Sequence, residues 1–158
     1  MGGLENLISN RILLTFLVSM VPVLELRAAI PLGVSAGLTP LEAMAVSIVG
    51  NLVPVPFILL FVRRVFDWLQ DKSPRLHRFV ERMESRAEKK KSLIEKWELL
   101  GLALLVAVPL PGTGAWTGAL VAALMDIRMK RAFPAIALGV LVAGMIVTAI
   151  TYGASNLF

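Results

Sequence analysis

The run Pro109-Leu-Pro-Gly-Thr-Gly114 breaks an apolar segment, residues 99–125, near its middle. Two prolines and two glycines in six residues rule out a continuous helix there, because proline removes a backbone donor and glycine adds backbone freedom. The pieces on either side are roughly ten to fourteen residues long, too short to cross a hydrocarbon core of about 30 Å. Two half-helices meeting at a broken tip make a re-entrant hairpin. Broken backbone at membrane depth is stable only where protein or a wet cavity surrounds it, so the tip is expected to face the protein interior. One Pro-kinked span over 99–125 is the alternative.

The rest of the chain fits a bilayer. Hydrophobic residues make up 57% of it, against about 45–50% in soluble domains, and the mean hydropathy is +0.78. Residues 11–38 predict a first re-entrant hairpin: a short apolar piece, 11–21, then a polar, proline-bearing stretch with Pro22, Glu25, Arg27, Pro31 and Gly33. Residues 41–62 and 132–153 are each long enough to span. Pro22, Pro31, Pro109 and Pro111 are the expected hairpin breakers.

The two halves read as an internal repeat. Pro22 and Pro109 lie 87 positions apart, as do Arg27 and Gly114, and Ala28 and Ala115. Gly50 and Gly139 lie 89 apart, as do Leu52 and Leu141, and Val53 and Val142. One crossing per half inverts the second copy. The expected fold is an all-α integral membrane protein, a single membrane domain over 1–158, built as an inverted repeat of re-entrant helical hairpin plus transmembrane helix. Such repeats with paired broken helices point to a transporter site near the midplane.

Charge sets the expected orientation. Segment 63–98 carries eleven lysines and arginines, and Arg128, Lys130 and Arg131 form a second basic link. The positive-inside rule places both on the cytoplasmic side. Within the linker, Ser73-Pro74 reads as a helix start, and Leu76, Phe79, Val80 and Met83 recur at helical spacing. This predicts a basic amphipathic helix, on the membrane surface or as a solvated arm; seven acidic residues are interleaved. The net charge is +5, but basic residues flanking apolar blocks indicate membrane topology rather than nucleic acid. There is no cysteine and one histidine, His77. Thiolate metal sites, disulfides and histidine-based triads therefore have nothing to build from, and neither a cofactor nor enzymatic activity is expected. The first ten residues have no basic n-region, so a cleaved signal peptide is not expected.

Three groups carry the candidate chemistry. Glu25 and Arg27 are costly in an apolar setting unless paired or wet. Arginine's planar fork suits a phosphate, and the glutamate is a candidate proton carrier; the alternative is a structural ion pair that lets the hairpin turn. In the second tip, Gly112 and Gly114 free backbone groups, and the following half-helix presents an anion-attracting N-terminus. Thr113 and Thr117 add hydroxyls there, and Trp116 either stacks on a ligand or closes the hairpin against its neighbour. Close helix packing also accounts for the small residues. Asn51, beside Pro54 and Pro56, either opens a kink toward a cavity or simply packs with Gly50.

The stretches PVLELRAAIPLG (22–33), GNLVPVP (50–56) and PLPGTGAWTGAL (109–120) resemble the putative small multi-drug export protein family. That family is similar to the DedA/VTT superfamily, whose members share paired re-entrant hairpins and include polyprenyl-phosphate and phospholipid translocases. The resemblance implies a multi-pass protein of the bacterial or archaeal cytoplasmic membrane, in contact with membrane lipids. DedA-type proteins usually carry arginines in the second hairpin, and this chain has none there, which leaves Arg27, with Arg128 or Arg131 assisting. Three functions compete. One is a secondary carrier or flippase for an amphipathic anion, coupled to protons or Na+. The second is a small exporter of lipophilic cations, and the third a scaffold or scramblase. Two spans enclose little cavity, so a homodimer is expected.

Overall fold

The computed structural model describes residues 2–72, 74, 78, 91–110 and 112–155. Among these residues it is all-helical: α1 (Gly2–Met20), α2 (Glu25–Ser35), α3 (Pro40–Leu52), α4 (Pro54–Lys72), α5 (Lys91–Ala107), α6 (Ala115–Leu124) and α7 (Met129–Ser155). The expected amphipathic helix around Leu76–Met83 and the breaker Pro111 lie outside the described residues.

Two runs are long and apolar enough to cross a membrane, Pro40–Val65 and Met129–Ala154, each of 26 residues. Only 33% and 39% of their most apolar windows are buried inside the protein; the core helix of a soluble protein would be mostly buried. Leu13, Leu17, Val49, Phe57, Phe61, Leu138 and Met145 point outward, as a lipid-facing surface requires. The first run loses helical hydrogen bonds where α3 meets α4, because Pro54 and Pro56 remove the donors that the Gly50 and Leu52 carbonyls would take; Val53, between them, keeps helical angles (φ −57°, ψ −47°) and donates to the Val49 carbonyl.

Local chemistry sets the helix ends. Thr39 and Glu42 form a reciprocal capping box at the start of α3, with Pro40 in the first turn. At the end of α2, Gly37 has φ +96° and donates to the Val34 carbonyl, while Leu38 donates to Gly33; this is a Schellman stop. The same stop ends α6, where Asp126 donates to Ala123 and Ile127 to Ala122. Here the left-handed position (φ +55°) is held by Asp126, which is clamped by the Arg63 guanidinium through both its carboxylate and its carbonyl. That contact brings the basic ends 63–64 and 128–131 to one side of the molecule. We expect Asp126→Ala to cost about 1–2 kcal/mol, from left-handed strain plus a largely exposed ion pair. Asp126→Gly should cost less, since it relieves the strain. Unfolding midpoints in detergent give the order, and equal losses would show that the ion pair alone matters.

Packing repeats across the halves. α1 packs on α3, and α5 on α7. Each second arm also packs on the other half's span: α2 on α7, and α6 on α4. Two glycines let helices meet main chain to main chain. A Cβ on Gly50 would lie 2.7 Å from the Phe16 carbonyl and overlap Ser19 Oγ. A Cβ on Gly139 would lie 2.6 Å from the Ala103 carbonyl and 2.7 Å from Val106 Cβ. Phe16 and Ala103, and Ser19 and Val106, are each 87 positions apart.

Pro31 does not break a hairpin as expected. It sits inside α2, where it costs only the donor to the Arg27 carbonyl, and α2 ends instead at Gly37. The first break lies earlier, at residues 21–24 around Pro22. α1 also starts well before residue 11, so the first arm is longer than its apolar part.

Candidate functional site

Each half is interrupted once between its two arms. In the first, the chain turns at 21–24 with Val23 at φ +76° and Glu25 at φ +48°. Both are unusual for side chains with a Cβ, and a β-branched valine is the stronger outlier. In the second, the turn runs from Val108 to Gly114, with Gly112 at φ +83° and Gly114 at φ +136°. In both halves a left-handed residue follows the proline by three positions: Glu25 after Pro22, Gly112 after Pro109.

The two turns are locked together. Arg27, in the first turn of α2, reaches carbonyls in the turn just beyond α5. Its Nη1 donates to the Leu110 carbonyl, and its Nη2 donates to the Val108 carbonyl at 3.2 Å and to Thr113 Oγ1 at 2.8 Å. Glu25, two residues earlier, covers the start of α6. Its Oε1 accepts from the Trp116 N–H at 3.1 Å, with the Ala115 N–H beside it. The carboxylate fits because Gly114 has no side chain: a Cβ there would overlap Oε2 and lie 2.7 Å from Cδ. The opposite charges are therefore divided between opposite helix ends, the guanidinium at the negative C-terminus of α5 and the carboxylate at the positive N-terminus of α6. In return, the Trp116 indole Nε1 donates to the Met20 carbonyl at 3.1 Å, at the end of α1. Arg27, from the first turn of α2, thus reaches carbonyls just beyond α5, and Trp116, from the first turn of α6, reaches the last carbonyl of α1.

The threonines brace the second turn. Thr113 Oγ1 lies 2.7 Å from the Val108 carbonyl and 2.8 Å from that of Leu110, the same acceptors that Arg27 uses. Thr117 Oγ1 donates to the Gly112 carbonyl at 2.9 Å. Glu25 is 3% exposed, so its bond to α6 is made away from bulk water.

Seven of the eight residues expected at a binding site meet here: Glu25, Arg27, Gly112, Thr113, Gly114, Trp116 and Thr117. Asn51 does not join them through any hydrogen bond among the described residues. It is buried in α3, with Ser47 one turn before it. The residues that sequence reasoning missed are mostly main chain: the carbonyls of Met20, Val108 and Leu110. Met20 ends α1, and that is the local signal for it; Val108 and Leu110 lie in the turn beyond α5, where their carbonyls also accept from the Leu110 and Thr113 N–H groups. Among the described residues no group of three His, Cys, Asp or Glu is arranged to hold a metal ion.

A family model described as "Putative small multi-drug export protein" matches residues 25–146, a range that begins at Glu25, just after the first turn, and includes the second. Comparisons with curated proteins and with solved structures gave no match.

Proposed function

The chain belongs to the putative small multi-drug export protein family, and on that premise we propose that this membrane protein is a secondary carrier of an amphipathic anion, such as a polyprenyl phosphate or a phospholipid. The joined turns are its gate. The reading rests most on one observation: the Glu25 carboxylate sits on the N-terminus of α6 two residues from Arg27. An anion placed there meets the amides of α6 and, once the turns part, a planar guanidinium released from the Val108 and Leu110 carbonyls. Glu25 holds the place that the substrate's phosphate takes, and a proton on Glu25 weakens its hold on the Trp116 amide. The reciprocal packing of arms on opposite spans, and the matching close approaches at Gly50 and Gly139, support an inverted repeat. Alternating access then rocks one half against the other.

The family description favours a second reading, export of a lipophilic cation with Glu25 as its counter-charge. Native mass spectrometry separates the two. Wild type, Arg27→Ala and Glu25→Gln are presented with a polyprenyl phosphate and, separately, with a lipophilic cation. We expect wild type to retain the phosphate lipid and Arg27→Ala to lose it, by at least tenfold. Retention of the cation alone, lost in Glu25→Gln, would establish the second reading instead.

A further inference from the structure

Buried polarity is divided unequally between the halves. In the first, Thr15, Ser19, Ser47 and Asn51 are all 1% exposed or less. Their counterparts in the second half, at spacings of 87 and 89, are Leu102, Val106, Ile136 and Val140, equally buried and wholly apolar. The same backbone arrangement therefore packs well with hydrocarbon, so the fold does not need the polar set.

Within that set the groups are not alike. Thr15 Oγ1 donates to the Arg11 carbonyl at 2.8 Å, and Ser19 Oγ to that of Phe16 at 2.6 Å; both are satisfied within α1. Ser47 Oγ and Asn51 Oδ1 have no hydrogen-bond partner among the described residues. They stand four positions apart on α3, hence on one helix face. An unpaired buried polar atom costs about 1–3 kcal/mol. Two of them in one column, where the other half carries isoleucine and valine, call for a ligand. The next turn supplies further oxygen: Pro54 and Pro56 remove the i+4 donors of the Gly50 and Leu52 carbonyls. The available atoms are a hydroxyl, an amide oxygen and main-chain carbonyls, with no carboxylate, imidazole or thiolate. Neutral hard oxygens suit an alkali cation rather than a transition metal, and main-chain carbonyls freed within a span are among the groups with which carriers hold such ions.

We infer that Ser47 Oγ, Asn51 Oδ1 and the proline-freed carbonyl of Gly50 form a binding site for a monovalent cation of sodium's size in the first span. Its role as a coupling ion rests on the carrier reading above. Gly50 lies against Ser19 and Phe16 of α1, so cation binding at Asn51 bears on the same helix that ends at the Trp116-bonded Met20 carbonyl. This gives the ion a direct mechanical route to the gate.

The test is the thermal midpoint of the purified full chain as Na+ replaces choline at constant ionic strength. A ligand that binds only the folded state raises the midpoint in a saturable way. We expect that rise in wild type, a Na+ affinity at least tenfold weaker in Ser47→Ala, no response in Asn51→Val and a retained response in Asn51→Asp. Thr148→Val, which removes another unpartnered hydroxyl on α7, should respond like wild type. A midpoint that ignores Na+, or a response unchanged in both Ser47→Ala and Asn51→Val, would overturn the site. So would a higher midpoint in Asn51→Val joined to a flat Na+ response in wild type, which marks a simple buried water. If Asn51→Val does not fold, Ser47→Ala carries the comparison. A Na+ response without phosphate-lipid retention would sink the carrier reading and leave the cation site standing; lipid retention without a Na+ response would do the reverse.

Discussion

Gly114→Ala is expected to be among the most damaging single-methyl changes in this protein. Two effects act together. The backbone at Gly114 has φ +136° and ψ −167°, a region open almost only to glycine and costing about 1–3 kcal/mol for other residues. The added Cβ also overlaps the Glu25 carboxylate, which is held on the other side by the Trp116 amide. Moving the carboxylate away strands the first amides of α6, at about 1–3 kcal/mol for each buried group left unpaired. We expect a total loss of roughly 3–5 kcal/mol, within the range where single substitutions are exceptional, and with it loss of ligand retention. Gly112→Ala is the control. Its φ is also left-handed, +83°, but a Cβ there meets nothing within 4 Å, so only about 1–2 kcal/mol of backbone strain applies. Unfolding midpoints in detergent decide the matter. Equal losses at the two glycines would mean that the contact between the turns adds no stability.

The second large effect is expected at Gly50 and Gly139. At both, the obstacles to a methyl group include a main-chain carbonyl of the neighbouring helix, which no rotamer change can move aside. The helices must part, α1 from α3 or α5 from α7. Overpacking of this kind costs about 1–3 kcal/mol and occasionally more; with carbonyls at 2.7 and 2.6 Å, we expect the upper end for Gly50→Ala and Gly139→Ala alike. Gly101→Ala, with open space around it, should be neutral or gain up to about 1 kcal/mol of helix propensity. Similar losses at Gly50 and Gly139 would indicate equivalent crossings in the two halves. Tolerance at one and collapse at the other would break that equivalence.

The two turns explain how a buried glutamate and a half-buried arginine are carried without bonding to each other. Val23, Leu24, Val108 and Leu110 are exposed, so the turns do not lie within the protein interior as expected, and the helices that meet there have end groups to be bonded. A carboxylate accepts from the first amides of α6, and a guanidinium adds donors to the Val108 and Leu110 carbonyls just beyond α5. The pair is thus structural in the joined state. Under the carrier reading it is functional in the parted one, when the same groups become available to a ligand.

Much of the architecture follows from the sequence alone because its causes are local. Proline and glycine at 109–114 forbid a helix wherever they are placed. Apolar runs of some twenty residues require helices of bilayer length. Thr39-Pro40 and Glu42 start α3 through contacts three residues apart. Where the local signal was misleading, tertiary context decided. Pro31 reads as a breaker, yet α2 continues through it, because one missing donor costs less than giving up the packing of Ile30 and Gly33 on the neighbouring helices. The partners of Glu25 and Arg27 lie more than 80 positions away, and apart from Thr113 Oγ1 they are main-chain groups of no particular residue type. Nothing at residues 25–27 encodes them. Only the folding of α2 against the break between α5 and α6 brings charge to helix end and turns two interruptions into one site.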